Sequence, residues 1–583
     1  MNSTIIKRIF KGTLTIQLLT ALTAVLGTVV DGIVTSACLG TSAMAAYGFA
    51  APITTIFSGL SGVFGTGISV LCGRTIGAGN KKETNRIFSI CMTVSILFSI
   101  LMMSATYFFA PGIASLLGAQ GAEYEEVVNY LHGFAASAPA IILVIELLPI
   151  MQIDSDRSRA LFAIGLATAV NIAGDLLNGL VFKKGLFIMA SVTTISYYVG
   201  AAILLLHFRR KDSMFRFSFT AFDFKVIGDM FSYGIPNAMQ QVFRSFLTIC
   251  INHIIYSVAD ETCVAAYTAI FTLSMMCMAV GTGVSQSTSI ITGIMIGEKD
   301  ITSVRMTLQQ AFRTTAILNA VVTAAVLIAS PLMMSLYFHA DPGVAEIAAA
   351  GMRFYSLCLI FYGINVALRS YYQAMHMVRL AYSYVVLDNF LCTTLSAYIM
   401  GHLFGLNGVW LSFLAGEILT LAIFLLIGLF DRNGKDLLSK LMHIRAEHTA
   451  GIMAINTWSA SSIEDVEKIS EEVNNFCRNN DAEYRTAYFM SLAAEEIGVN
   501  IIRYGFSDGK PHSIDVKMIR EEKGWLLRFR DDCAMFDPVK YMDCYDDTSA
   551  ESHIGIRMIS GLAGKMEYIS TLKINNLLIE MKD

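Results

Sequence analysis

An all-α polytopic membrane domain joined to a small α/β domain is the architecture this sequence predicts. Hydrophobic residues fill 55% of its 583 positions, while charged residues make up 15% and cluster between apolar runs and after Phe430. Those runs reach roughly 20 residues, long enough to cross a hydrocarbon core as helices. The apolar region is also written twice. Ala45-Ala46-Tyr47 and Gly65-Thr66-Gly67-Ile68-Ser69 return as Ala265-Ala266-Tyr267 and Gly281-Thr282-Gly283-Val284-Ser285, and Gly12…Gln17 parallels Gly234…Gln240. A soluble solenoid would repeat more often. Two long apolar copies predict a transporter with its substrate site between related halves.

Twelve spans are expected, near 10–35, 45–73, 87–110, 127–150, 160–182, 186–208, 228–256, 263–296, 311–337, 345–373, 380–402 and 406–430. They divide into six-helix lobes over 1–220 and 221–430, with a linker over 431–449 and a soluble domain over 450–583. The first apolar run is long and lacks a small-residue cleavage site, unlike a signal peptide. Eleven scattered cysteines without a Cys-x-x-Cys pair argue against disulfides or a zinc site. Basic residues gather in one set of loops, among them Lys7/Arg8/Lys11, Arg74/Lys81/Lys82/Arg86, Arg157/Arg159, Lys299/Arg305 and Arg432. Alternate loops carry acids such as Glu125, Asp260 and Asp341, with Lys183/Lys184 as the exception. By the positive-inside rule both termini face the cytoplasm, across a cell (inner or plasma) membrane. That orientation requires an even number of spans. No nucleic-acid partner is expected.

Acids well inside these spans are few: Asp31, Glu146, Asp175, Asp388 and Glu417. A charge at mid-membrane costs roughly 2.5–3.5 kcal/mol on insertion scales, so such groups face protein or water. In the fifth span Thr168, Asn171, Asp175 and Asn178 share a helical face; in the first, Gln17, Thr20, Thr28, Asp31 and Thr35 do. A carboxylate ringed by amide and hydroxyl oxygens can hold a proton or help coordinate Na⁺. The competing reading is polar glue between helices. The stripes favour the functional reading for Asp31 and Asp175. For Glu146, Asp388 and Glu417, with mostly apolar neighbours, both readings stay open. Aligning the copies sets Asp31 opposite the region of Asn252, which confines the expected ion chemistry to the first lobe. The repeated glycines predict close helix crossings. Pro236 is placed to bend the seventh span.

These residues resemble the MATE (multidrug and toxic-compound extrusion) family of cation-coupled antiporters over about 5–430. The resemblance rests on Val30-Asp31-Gly32 followed by Leu39-Gly40…Ala45-Ala46, on the two Gly-x-Gly-x-Ser motifs, on Gly234-Ile-Pro…Gln240-Gln241, and on Tyr371-Tyr372-Gln373-Ala374. It implies two six-helix bundles in a V, alternating access driven by Na⁺ or H⁺, and cation-linked aspartates in spans one and five. Those positions are Asp31 and Asp175 here, with Asn171 and Asn178 as neighbours. The sequence departs from the family in two places. Gln152-Ile-Asp-Ser-Asp-Arg lacks the glycine expected before its acid, and no proline precedes span one.

Beyond Arg432, Leu437, Leu438, Leu441 and Ile444 alternate with basic residues, as an amphipathic linker on the membrane surface would. Helices are expected near 462–478 and 483–504, strands near 512–519 and 524–530, a helix from Gly555, and strands within 565–581. This region resembles the GHKL superfamily of ATP-binding domains, closest to anti-sigma-factor serine kinases. The matching stretches are Ala494-Glu495-Glu496…Asn500…Tyr504-Gly505, then Asp531-Asp532-Cys533…Asp537, then His553-Ile554-Gly555. The resemblance implies that Glu496 is a general base, Asn500 a Mg²⁺ ligand, Asp531 the acceptor for the adenine amino group and Gly555 the start of a phosphate-facing helix. Cys533 stands where a glycine is expected. The tail has no Walker-type loop, which argues against ATP driving transport directly.

The function expected is a Na⁺- or H⁺-coupled exporter of small amphipathic or cationic compounds, embedded in membrane lipid, with an ATP- and Mg²⁺-binding tail that regulates it. Two alternatives are a membrane sensor whose tail phosphorylates a regulatory protein partner, and a flippase for lipid-linked precursors.

Overall fold

The computed structural model describes residues 4–582, apart from 40, 118, 120–121, 211–212, 219–222, 260, 339–341, 431–435, 445–450, 510, 523 and 544–553. Gly40, Asp260, Asp341, Arg432, His553 and much of the linker therefore lie outside the described residues, as does the side chain of Thr28.

The first lobe contains α1 (Thr4–Val34), α2 (Thr41–Gly77), α3 (Lys81–Phe108), α4 (Ala110–Leu116), α5 (Ala122–Ala135), α6 (Ser137–Ile153), α7 (Arg157–Leu177) and α8 (Gly185–Leu205). The second contains α9 (Phe224–Val258), α10 (Glu261–Gly297), α11 (Ile301–Tyr337), α12 (Pro342–Ser356), α13 (Leu359–Ala374), α14 (Val378–Val386) and α15 (Cys392–Leu429). Among the described residues eight helices are long and apolar enough to cross a membrane, and two pairs bent by 47° and 48°, α5 with α6 and α12 with α13, bring this to ten. The last of the eight, Val378–Leu429, breaks in two at Gly405, whose φ of 60° and ψ of −146° leave the helical region. Helix α9 is long but carries Lys225, Asp229 and Arg244 and falls outside that count. Each of the twelve predicted stretches is thus helical.

The repeated glycines are where the lobes touch. Gly65 packs on Ile145 of α6 and Gly67 on the Met230 backbone of α9; Gly281 packs on Tyr362 of α13 and Gly283 on the Leu18 backbone of α1. Each motif therefore makes the same two contacts, one inside its lobe and one across the seam. Further along, Gly73 meets Gly293, while a Cβ at Gly77 or Gly297 would run into the carbonyl of Ile294 or Arg74. Small residues let these backbones approach where a side chain would hold them apart.

The short turns between helices need a left-handed residue. Gly79 (φ 79°) and Lys299 (φ 54°) supply it after α2 and α10, and Ser155 (φ 61°) and His376 (φ 61°) after α6 and α13. Ser155 thus adopts the left-handed conformation in the loop where the sequence lacked a glycine.

The linker corrects one expectation. Its short α16 (Leu437–Met442) does not lie free on a membrane surface: Leu441 and Met442 are buried, and the Tyr372 and Tyr371 hydroxyls donate to their carbonyls at 2.7 and 2.8 Å. Two aromatic donors at the end of α13 outcompete the interface for this segment.

The tail is an α/β sandwich. Strands β1 (Ile452–Ala460), β2 (Ile514–Glu521), β3 (Gly524–Asp531), β4 (Lys565–Thr571) and β5 (Ile574–Lys582) form one antiparallel sheet in the order β1-β2-β3-β5-β4. Helices α17 (Ile463–Asn479), α18 (Tyr484–Asn500) and α20 (Ile554–Leu562) belong to its core, and the short α19 (Pro538–Asp543) follows β3. Alternation sorts the strands: Val516, Met518, Leu527, Phe529 and Ile579 face the helices. Ile569, Leu578 and Leu526 face the other way and join the hydrophobic core of the membrane domain. Edge strand β1 has no counterpart in the sequence prediction, because its exposed Met453 and Ile455 and half-buried Trp458 blur the alternation.

Gly297→Val should force α2 and α10 apart at the Arg74 carbonyl. We expect a cost of about 1–3 kcal/mol, read as a lower melting temperature in detergent. Gly112→Ala, with open space around it, should leave that temperature unchanged.

Candidate functional site: two buried carboxyl pairs and the α18–α20 region of the tail

Asp31 and Asp175 come together in the first lobe. Helices α1 and α7 pack closely enough that a Cβ at Gly27 would lie 3.4 Å from the Asn171 amide oxygen. One turn beyond Gly27, the Asp31 carboxyl lies within hydrogen-bonding reach of Asp175 and of Asn171. Asn171 donates to Asp175 at 3.1 Å, and one oxygen of each carboxyl is buried without a partner. Tyr47 and Tyr197 sit in the field of Asp31. A carboxylate only accepts hydrogen bonds, so two of them in contact need a proton or a cation between them. Among the described residues no basic side chain is paired with either. Helices α1 and α7 both run on into π-helical turns, Thr35–Leu39 and Asn178–Phe182. Such turns recur at functional sites.

The rest of the two polar stripes does other work. Asn178 is not brought to the pair: it accepts from the Lys184 N–H at 3.2 Å and donates to the Gly185 carbonyl at 3.1 Å, closing the turn into α8. Thr20 and Thr35 donate back to carbonyls one turn earlier in α1. Glu146 is fully buried and accepts from Ser95 at 2.7 Å.

A second carboxyl pair lies in the other lobe, where the repeat alignment gave no expectation of one. Asp388, in the π-helical turn Leu387–Leu391, lies within reach of Glu417. Asn365 donates to Glu417 at 2.6 Å and accepts from Tyr384 at 2.6 Å. Unlike the first pair, this one has cations in its field, the half-buried Arg244 and the buried Arg369, although neither forms an ion pair with the acids among the described residues. Counting acids alone passed over both arginines; basic residues inside predicted spans were the signal that could have found them.

In the tail, α18 carries Glu496 and Asn500 on one half-buried face, and Glu496 reaches the first turn of α20, where a Cβ at Gly555 would collide with its carboxylate. Asp531, at the end of β3, is buried; its Oδ1 accepts from the Asn575 amide at 2.8 Å and the Cys533 N–H at 3.0 Å. Burial pushes the Asp531 carboxyl above the ordinary aspartate value, and the Asn575 hydrogen bond pulls the other way. Tyr568 donates to Asn575 at 2.6 Å and so orients the amide. Cys533 is accommodated because residue 505 is glycine: a Cβ there would lie 2.8 Å from its sulfur. All four predicted nucleotide residues thus border one region, between α18, α20 and the end of β3.

Family models match both parts. Residues 18–177 and 236–399 match the MatE family, one match in each lobe, and residues 459–580 match the histidine kinase-like ATPase domain. The chain belongs to the MatE family. It is 22% identical over 392 residues to the multidrug export protein MepA of Staphylococcus aureus, covering 66% of this chain and 85% of that one. Its fold is similar to an outward-facing multidrug resistance MATE transporter of the MOP superfamily (TM-score 0.67, 20% identity, 72% of this chain and 94% of the other). A MOP superfamily transporter from Pyrococcus furiosus, whose binding pocket is of reversed polarity, scores 0.68 at 20% identity with the same coverage. This MatE protein is therefore a multi-pass membrane protein with a GHKL-type tail.

The two carboxyl pairs should respond oppositely to neutralisation. Arg369→Gln removes a buried cation from the field of the second pair and should cost about 3–5 kcal/mol. Asp31→Asn relieves an unbalanced pair and should leave the melting temperature unchanged or raise it.

Proposed function

We propose that this chain is a cation-coupled antiporter that exports small amphipathic or cationic compounds, with Asp31 and Asp175 as the exchange site. The observation that carries this reading is an aspartate pair in mutual contact, with an unpartnered oxygen on each and no basic side chain paired with either among the described residues. Loading one H⁺ or Na⁺ cancels one of the two charges and with it their repulsion; losing it leaves two like charges in contact, a state that a change of conformation or a cationic substrate would relieve. Asn171 positions Asp175, and Tyr47 faces the same space. The MepA relative, named as a multidrug exporter, supports the substrate class. Asp388 and Glu417 have arginines in their field and have no comparable need for a loaded ion.

The tail binds Mg-ATP. Asn500 holds the metal, Asp531 accepts from the adenine amino group, the first turn of α20 at Gly555 faces phosphate, and Glu496 serves as base if phosphoryl transfer occurs. The tail, both termini and the basic loops lie in the cytoplasm.

In proteoliposomes, Asp31→Asn or Asp175→Asn should abolish ion-driven export while the protein still folds. Undiminished ion-driven transport in both variants would remove the mechanism. For the tail, Asn500→Ala should weaken Mg-ATP binding to the full-length protein about tenfold or more by calorimetry. Glu496→Ala should retain binding and abolish any turnover.

A further inference from the structure

The tail touches both lobes at one end of the bundle, and the two joints differ in kind. Against the second lobe the joint is ionic and buried. Lys517 and Arg528 are register partners on β2 and β3, and together with Arg530 they occupy the sheet face turned away from the tail's own helices. Lys517 pairs with Asp300 at 2.6 Å, Arg528 with Glu298 at 3.0 Å, and Arg530 with Glu298. All five side chains are 5% exposed or less. Asp300 is also the N-cap of α11, accepting from the Ser303 N–H at 3.0 Å. Burial alone would raise the Asp300 carboxyl, but the Lys517 and Arg530 charges beside it hold it well below the ordinary carboxylate range.

Against the first lobe the joint mixes backbone hydrogen bonds, cationic side chains and the buried Leu572. The two-residue turn Leu572-Lys573 between β4 and β5 has both φ values positive and inserts against the α6–α7 loop. Leu572 N–H donates to the Ile153 carbonyl at 3.2 Å, Lys573 N–H to Ser155 Oγ at 2.8 Å, and Arg157 to the Leu572 carbonyl at 2.9 Å. Lys81 donates to the Tyr568 carbonyl at 2.7 Å. Arg8 of α1 pairs with Asp532, the residue next to Asp531.

We propose that the tail is an intramolecular strap whose partner is the transporter itself: it stays anchored on the second lobe and must release the first whenever the lobes separate at this end. The second-lobe joint holds five buried charged side chains in three ion pairs, whereas the first-lobe joint holds one ion pair, Arg8 with Asp532, beside backbone hydrogen bonds and the buried Leu572, so the tail is tied to the second lobe by more paired charges. The release point adjoins the nucleotide region, since Arg8 holds Asp532 while Asp531 belongs to that region. Nucleotide at Asp531 and the grip of Arg8 on Asp532 therefore act on neighbouring residues, which gives the tail a route to gate transport. The nucleotide half of this rests on reading Asp531 as part of an ATP site; the strap does not.

Two crosslinks test it in the full chain. A short bis-maleimide would join Lys81→Cys to Glu567→Cys at the first-lobe joint, or Lys299→Cys to Glu521→Cys at the second, where the native pair is 3.0 Å apart. Single-cysteine variants treated alike are the controls for the native thiols. The readout is ion-driven transport of a fluorescent planar cation such as ethidium into proteoliposomes, with Mg-ATP binding measured on the same samples. We expect at least a tenfold loss of transport with the first crosslink and no change with the second. Full-rate transport under the first crosslink would overturn the strap, and loss under both would overturn the assignment of release to the first lobe. Loss under the first crosslink in a tail that binds no Mg-ATP would keep the strap and remove the nucleotide reading instead.

Discussion

Backbone contact along the seam between the lobes positions everything else in this molecule. Gly67, Gly73, Gly77, Gly283, Gly293 and Gly297 leave no side chain between α2 and α10 or their neighbours. Because each motif also packs inside its own lobe, through Gly65 on Ile145 or Gly281 on Tyr362, the same motifs set both the lobe interior and the lobe interface. Without water to drive helix association in a membrane, such close packing supplies much of the specificity. The loops that emerge from this seam, at 77–81 and 297–301, are two of those on which the tail rests.

The two halves share a scaffold but distribute charge differently. The first holds two aspartates in contact with an amide and, among the described residues, paired with no cation; the second holds an aspartate and a glutamate in the field of two arginines. A cluster with cations in its field is a fixed structural element, and removing any member would expose a buried charge. One without them has to take something up, which is what coupling to an ion gradient requires. The asymmetry is compatible with one shared fold because buried side chains can change while the backbone crossings stay the same.

The tail's sheet has two uses. One face carries the core under α17 and α18. The other would read in isolation as a solvated face, with Lys517, Arg528 and Arg530 alternating with apolar residues. Its burial against Glu298 and Asp300 turns an apparently soluble domain into part of the transporter's surface. Asp531 lies at the end of β3, next to Asp532, which Arg8 of the first helix holds, so the candidate site of the tail and the lobe contact meet there.

The sequence by itself determined the twelve apolar stretches, the doubled lobes and the α/β tail, because hydrophobic period and motif spacing are local. It also picked out Asp31 and Asp175, since polar stripes in apolar helices are visible without any partner. Only the tertiary structure decided which stripe members meet: Asn171 joins the aspartates while Asn178 is spent on a turn, a difference set by where α8 begins. The second carboxyl pair with its arginines was beyond the sequence for the same reason, as its members come from four different helices. The docking face was beyond it too, because a cation on an alternating strand looks the same whether water or a carboxylate faces it. Contacts between residues hundreds of positions apart are decided by packing, and no local pattern records them.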